Sequence, residues 1–258
     1  MVLTPPILPM LARAQQQLPN DNILSGLVAE QKLDGFRAII FARSDLVRIQ
    51  SRQGADLTGA FPDLRAAAVA LEEDLVLDGE LVVFREGKLD FVALQQRARR
   101  RGRTAAAAIR DQPAHLIVFD VLEAAGVNLL SLPYRQRRAR LKDLFERGVL
   151  AAPFVLCPAT TDRAVMEDWL DPAWAVAGGE GVVLKGREQP YLPGKRLWIK
   201  VRARETAEAV VGGVTGSLRT PATLLLGSTL TARTRSSATA SWPTKPAAWD
   251  LACPTGPR

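Results

Sequence analysis

An Asp-Gly pair set between two apolar, β-prone runs is the tightest constraint in this sequence. Leu27-Val28-Ala29 leads in and Ala38-Ile39-Ile40-Phe41 leads out, with Glu30-Gln31-Lys32-Leu33-Asp34-Gly35-Phe36-Arg37 between them. Asp and Gly both tolerate positive φ, so the pair predicts a tight turn with a strand on either side, a β-hairpin. Lys32 sits just before the turn and Arg37 enters the next strand. A lysine amine attacks an electrophile only when neutral, and in water it is mostly protonated. Neighbouring cations and loss of solvent lower its pKa. An arginine close in the chain is such a neighbour, and its fork of donors also suits a phosphate. Alone, the octet is better read as a plain hairpin with an exposed lysine, so any further meaning depends on the rest of the chain.

The rest of the chain supplies a series of further segments. Ser51-Arg52-Gln53-Gly54 comes first, then Leu77-Asp78-Gly79-Glu80-Leu81 and Phe119-Asp120-Val121-Leu122. Glu180-Gly181-Val182-Val183-Leu184-Lys185 and Trp198-Ile199-Lys200-Val201-Arg202 follow. In this order the set resembles the covalent nucleotidyltransferases, that is, ATP-dependent DNA ligases, RNA ligases and mRNA-capping enzymes. Pro9-Met10-Leu11-Ala12 and Leu89-Asp90-Phe91-Val92-Ala93-Leu94-Gln95 are similar to bacterial ATP-dependent DNA ligases of the end-joining type. The resemblance implies an α+β fold: two antiparallel β-sheets flanked by helices, an ATP-grasp-like nucleotidyltransferase domain, followed by a partial OB-fold.

The resemblance also implies roles. Lys32 would be the catalytic nucleophile that takes AMP from ATP, and Asp34 would orient the turn beside it. Lys185 and Lys200 would carry point charges to the α-phosphate and lower the pKa of Lys32. Glu80 and Glu180 would hold Mg²⁺ directly or through water, with Glu80 also on the ribose side. Phe119 would stack on the adenine. Backbone groups near Glu30 and Gln31 would read the adenine edge, while Arg37 and Arg52 would hold ribose or phosphate. Arg202 stands where the family commonly has a second lysine, which keeps the charge. Without the resemblance, Phe119 and Trp198 read as core, Glu80 as a solvated hairpin residue, and Glu180 and Lys185 as a surface salt bridge.

A formal charge of +7 over 258 residues favours a polyanionic partner, which here would be nicked or broken double-stranded DNA. Arg97, Arg99, Arg100, Arg101 and Arg103 cluster at the end of a helix expected from the Asp90 cap through Gln95 to Arg101. Such a run is either a solvated face or a contact for a nucleic-acid backbone. Two cysteines form neither a CxxC pair nor a disulfide framework, which fits a reducing, cytoplasmic setting. No apolar run reaches the roughly 20 residues that span a bilayer, and the start lacks a secretory pattern. A monomer is expected, with end-joining proteins as candidate partners. The lone histidine, His115, opens an apolar strand and is assigned no role.

Further helices are expected over Phe61–Glu73, with Pro62 in the first turn, over Pro133–Arg147, and from a Thr161 cap to Leu170. Residues 1–202 read as the adenylation domain and 203–227 as a partial OB-fold, with strands near Glu208–Gly213 and Thr223–Leu226. Residues 228–258 are rich in Ser, Thr, Ala, Pro and Arg and read as disordered or aberrant, as a truncation or frame shift would leave them. An OB barrel has about five strands. Two other readings therefore stay open beside a DNA ligase: an impaired nucleotide- or nick-binding remnant, and an RNA ligase or capping-type enzyme. Leu33 and the Phe119-Asp120-Val121-Leu122 wording speak against the capping reading.

Overall fold

The computed structural model describes residues 2–203, 210–217, 219–227 and 238–241. The runs on either side of Asp34-Gly35 form strands Leu27–Leu33 and Phe36–Ala42, but they do not pair. Each enters a different sheet, so the expected hairpin is replaced by a crossing between sheets. Gly35 does not use a positive φ. A Cβ there would lie 2.5 Å from the Leu81 carbonyl oxygen and 2.8 Å from Glu80 Cγ, so close approach is what demands glycine.

One sheet runs Val47–Ser51, Phe36–Ala42, Leu75–Arg85, Ala114–Ala124, Val127–Asn128, with Lys88–Leu89 and Phe154–Leu156 off this path. The other runs Leu11–Gln15, Arg196–Arg202, Gly179–Gly186, Leu27–Leu33, Ala159–Thr160. Both are mixed rather than purely antiparallel: Leu11–Gln15 lies parallel to Arg196–Arg202, and Phe154–Leu156 parallel to Ala114–Ala124.

Residues 38–42 of strand Phe36–Ala42 read as a continuous apolar run because both of its faces are buried there. Ala38, Ile40 and Ala42 join the larger core under the helices, with Leu64, Leu77, Leu94, Leu116, Leu141 and Leu144. Ile39 and Phe41 turn the other way and cluster with Trp198 of the second sheet and with Met10 and Tyr191 from the segments that precede its strands Leu11–Gln15 and Arg196–Arg202. The outer face of that second sheet is closed by Leu24, Met166 and Trp169 over Val182, Leu184, Ile199 and Val201. The two sheets thus meet at this cluster and at a smaller one in which Leu33 of the second sheet packs against Val82 and Ile117 of the first. Period-two alternation groups further side chains on shared strand faces: Glu30 and Lys32; Asp78 and Glu80; Val183 and Lys185; Trp198, Lys200 and Arg202.

Helix Pro62–Val69 starts with the proline at its first turn, and Tyr134–Glu146 follows Pro133. The expected Asp90-capped helix is real but shorter, Phe91–Ala98, with the Asp90 carboxylate accepting from Ala93 N–H at 2.8 Å. Gly102, at a φ of 54°, separates it from a second helix, Gly102–Asp111, built on an alanine run and absent from the expected set. Asp162, not Thr161, caps helix Arg163–Asp168. Among the described residues, no helix is long and apolar enough to cross a membrane.

The chain divides into compact units of residues 1–204 and 205–258. The second contains strands Val210–Ser217, Thr220–Gly227 and Ala238–Ser241, antiparallel in that order. The last strand lies in the stretch expected to lack structure. The remainder of 228–258, and the expected strand start at Glu208, lie outside the described residues.

Candidate active site

Lys32, Asp34, Arg37, Arg52, Glu80, Phe119, Glu180, Lys185, Lys200 and Arg202 all line one cleft of about 1180 Å³, together with Glu30 and Gln31. Strand register brings them there. Lys32 stands opposite Gly181, which stands opposite Arg202; Glu30 stands opposite Val183, which stands opposite Lys200. Across the crossing, Arg37 pairs with Glu80, and Glu80 with Ile117.

The Lys32 amine ion-pairs with the Glu180 carboxylate. Burial pulls its pKa below the usual lysine value; Glu80 and Asp34 oppose the shift, while Arg202 and Lys200 reinforce it. Glu180 must release the amine before its lone pair can face an electrophile. Gly181 takes a φ of 126°, and a Cβ there would lie 2.2 Å from the Val201 carbonyl oxygen, so only glycine lets this strand seat Glu180. Burial raises the Glu80 carboxyl to about 7, against the pull of Arg37 and Lys32. Lys200 is pushed down by burial and then by Arg202, Arg52 and Arg196. Among the described residues this edge of the cleft thus concentrates cations, as a polyphosphate site requires.

Arg37 is held more tightly than expected for a free ribose or phosphate contact. Its Nε and Nη2 each donate to an Asp78 oxygen at 2.6 Å, and its guanidinium lies 4.7 Å from the Phe119 ring centre and 5.0 Å from that of Trp198. Phe119 itself meets Trp198 edge-on, with ring centres 6.1 Å apart.

Lys185 lines the cleft from within the protein. It is 1% exposed and lies 2.5 Å from the Glu30 carboxylate, 3.3 Å from the Phe119 carbonyl oxygen and 4.3 Å from the Phe119 and Trp198 ring centres. Glu30 is the ion-pair partner of this buried lysine. Glu30 also accepts from Tyr134 Oη at 2.6 Å and from Arg138 Nη1 at 3.4 Å, while Gln31 N–H donates to the Pro158 carbonyl at 3.3 Å. Neighbouring Arg137 grips Asp120 with Nε at 2.8 Å and Nη2 at 2.9 Å. Helix Tyr134–Glu146 therefore clamps the residue two before Lys32 and the residue after Phe119. Tyr134, Arg137 and Arg138 carry no role in the sequence analysis; the polar run Tyr134-Arg135-Gln136-Arg137-Arg138 on an otherwise packed helix is the signal that could have found them.

Arg97 is a correction. The sequence groups it with the DNA-facing arginines, yet it is fully buried, binding Asp63 through Nη1 at 2.9 Å and Nη2 at 2.8 Å and the Gln112 carbonyl at 2.5 Å. Its charge serves the fold. Arg99, Arg101 and Arg103 are exposed and Arg100 is half-buried. Arg101 packs near Gly59.

Among the described residues no group of three or more His, Cys, Asp or Glu could hold a metal unaided. Glu80 and Glu180 face the cleft as two separate carboxylates, which suits Mg²⁺, an ion held by one or two carboxylates plus substrate phosphates.

A family model described as "ATP dependent DNA ligase domain" matches residues 9–202. DNA ligase C2 of Mycolicibacterium smegmatis is 36% identical over 211 residues, covering 81% of this chain and 57% of that protein. The multifunctional non-homologous end joining protein LigD of Mycobacterium bovis is 34% identical over 210 residues, covering 76% of this chain and 25% of that protein. The solved structure of mycobacterial DNA ligase D complexed with ATP and MES superposes with a TM-score of 0.62 at 31% identity, covering 86% of this chain and 67% of that one. The chain spans less than two thirds of the length of these curated relatives. The chain belongs to the ATP-dependent DNA ligase family.

Proposed function

We propose that this chain seals nicks or ends in double-stranded DNA, using ATP, in DNA repair. The observation that carries this reading is the convergence of Lys32 with two carboxylates and a cationic edge in one cleft. Lys32 Nζ, freed of its proton and of Glu180, forms a bond to the α-phosphorus of ATP, and pyrophosphate leaves. The AMP then passes to the 5′-phosphate of the nick, which restores the lysine. The 3′-hydroxyl finally attacks that phosphate, and AMP departs with its electron pair. Each step transfers a phosphoryl-type group, so positioning and charge neutralisation supply most of the rate.

Arg52, Lys200 and Arg202 neutralise the phosphates, with Arg202 able to draw Glu180 aside across the 3.9 Å that now separates them. Arg37 presents its free edge to ribose or phosphate. Phe119 contributes a ring face to the base. Glu30 and Lys185 form the charged floor beneath it. Glu80 and Glu180 would hold Mg²⁺, which supplies charge neutralisation on the triphosphate when bound. Arg99, Arg100, Arg101 and Arg103 bind the DNA backbone. The three strands of the second unit belong to an OB-type barrel. With DNA as substrate the protein works at the chromosome in the cytoplasm, and the LigD-type relatives support end-joining proteins as partners.

The test is a labelled nicked duplex with ATP and Mg²⁺. Joined product together with a covalent AMP adduct supports the reading. Labelling by GTP in preference to ATP, or joining of nicked RNA alone, contradicts it.

A further inference from the structure

Tyr191 is not among the cleft residues; it precedes strand Arg196–Arg202, is 1% exposed, and its hydroxyl reaches the carboxylate that holds Arg37. Its Oη accepts from Met10 N–H at 3.0 Å. A backbone N–H can only donate, so the hydroxyl proton is directed elsewhere, and Asp78 Oδ2 lies 2.6 Å away. Burial and then Asp78 hold the phenol pKa well above its ordinary value, so this proton stays in place. Asp78 is fully buried and takes both prongs of the Arg37 fork. The Tyr191 ring is fixed in turn, edge-on to Trp198 at 5.9 Å between centres and 5.6 Å from the Arg137 guanidinium carbon.

Arg37 is therefore placed by a relay. Met10 aims the Tyr191 hydroxyl, the hydroxyl fixes Asp78, and Asp78 fixes the guanidinium between Phe119 and Trp198. Among the described residues Arg37 Nη1 has no hydrogen bond to protein, while Nε and Nη2 are committed to Asp78. We propose that Tyr191 is a positioning residue for nucleotide binding, one that sets the direction of Arg37 Nη1 toward the ribose or α-phosphate through Asp78. The proposal rests on the ligase reading for the identity of the nucleotide. A free arginine side chain samples many rotamers, and fixing it beforehand removes that entropy from the binding step.

The test is a double-mutant cycle on the full chain with Tyr191→Phe and Arg37→Lys. The Phe variant keeps both ring contacts and removes only the hydroxyl. The Lys variant keeps the charge but cannot span both Asp78 oxygens. The readout is the dissociation constant of α,β-methylene-ATP with Mg²⁺, measured by calorimetry, with a melting curve for each variant. Tyr191→Phe is expected to weaken binding about fivefold, the effect of one lost hydrogen bond of ordinary strength. In the Arg37→Lys background the same change is expected to move it less than about twofold, because no fork remains to be aimed. A fivefold effect in both backgrounds overturns the proposal, as does unchanged affinity with a lowered melting temperature, the sign of a packing role alone. A wild-type chain that binds the analogue but takes no covalent label from ATP overturns the ligase reading, while the cycle still decides Tyr191.

Discussion

Replacing Asp63 with asparagine is expected to cost about 3 kcal/mol of folding stability. Arg97 is fully buried and its two terminal nitrogens both reach Asp63, so the substitution leaves a guanidinium in the interior without its counter-charge. Breaking a buried pair from one side typically costs about 3–5 kcal/mol. The lower end applies because the Asp63 side chain is 13% exposed, and the asparagine oxygen can still accept one bond. At about 2–4 °C per kcal/mol for a unit of this size, the melting temperature falls by about 6–12 °C. Burial raises the Asp63 pKa, but hydrogen bonds from Arg97 and the Ala114 N–H outweigh it and the net shift is downward. A depressed carboxyl contributes stability above its unfolded-state pKa and loses it on acidification. The difference between wild type and Asp63→Asn should therefore shrink as pH falls below the ordinary aspartate range. The assay is thermal melting across pH, with nicked-duplex binding measured alongside for Arg97→Met. A loss under about 1 kcal/mol for Asp63→Asn, or a weaker salt dependence of DNA binding in Arg97→Met, would refute the structural assignment of this arginine.

The other expectations concern the cleft and the DNA face. Glu80 is held up to about 7, so it binds a proton in the folded state over a range where the unfolded chain has lost it. Stability should decline as pH rises from the ordinary glutamate range to about 7, and Glu80→Gln should flatten that slope in urea titrations. Replacing Arg99, Arg100, Arg101 and Arg103 with alanine should reduce the slope of log affinity against log salt by about 0.9 for each phosphate left without its arginine. Gly35→Ala forces a Cβ onto the Leu81 carbonyl and Glu80 Cγ. It should cost about 1–3 kcal/mol and displace Glu80, seen as reduced AMP labelling at fixed ATP; labelling and stability equal to wild type would refute the close-approach account.

Short-range pattern explains what could be read in advance. The cleft-facing residues alternate along strands, so Trp198, Lys200 and Arg202 declare one face by period two, as do Val183 and Lys185, whereas Glu180 joins that face only through the register shift between Gly179 and Gly181. Helix starts with local caps or a first-turn proline, at Asp90 and Pro62, are legible for the same reason. What escapes depends on partners distant in sequence. The Asp-Gly pair looks the same whether its flanking strands pair with each other or join different sheets. The ion pair of Lys185 with Glu30, more than a hundred positions away, has no local signal. Arg97 is indistinguishable from its neighbours in the basic run until Asp63 and the Gln112 carbonyl close around it. Tyr191 and Tyr134 have hydroxyls whose acceptors lie 113 and 104 positions away. No local propensity encodes such pairs; they follow from sheet order.

The most direct measurement is incubation of the purified chain with α-labelled ATP and Mg²⁺, followed by a denaturing gel, with Lys32→Ala alongside. The account predicts a labelled band for the wild-type chain, resistant to denaturation because the AMP is covalently bound, and none for Lys32→Ala. A Lys32→Ala chain that labels as well as wild type would contradict it, since the nucleophile would then lie elsewhere and the convergence on Lys32 would have another purpose.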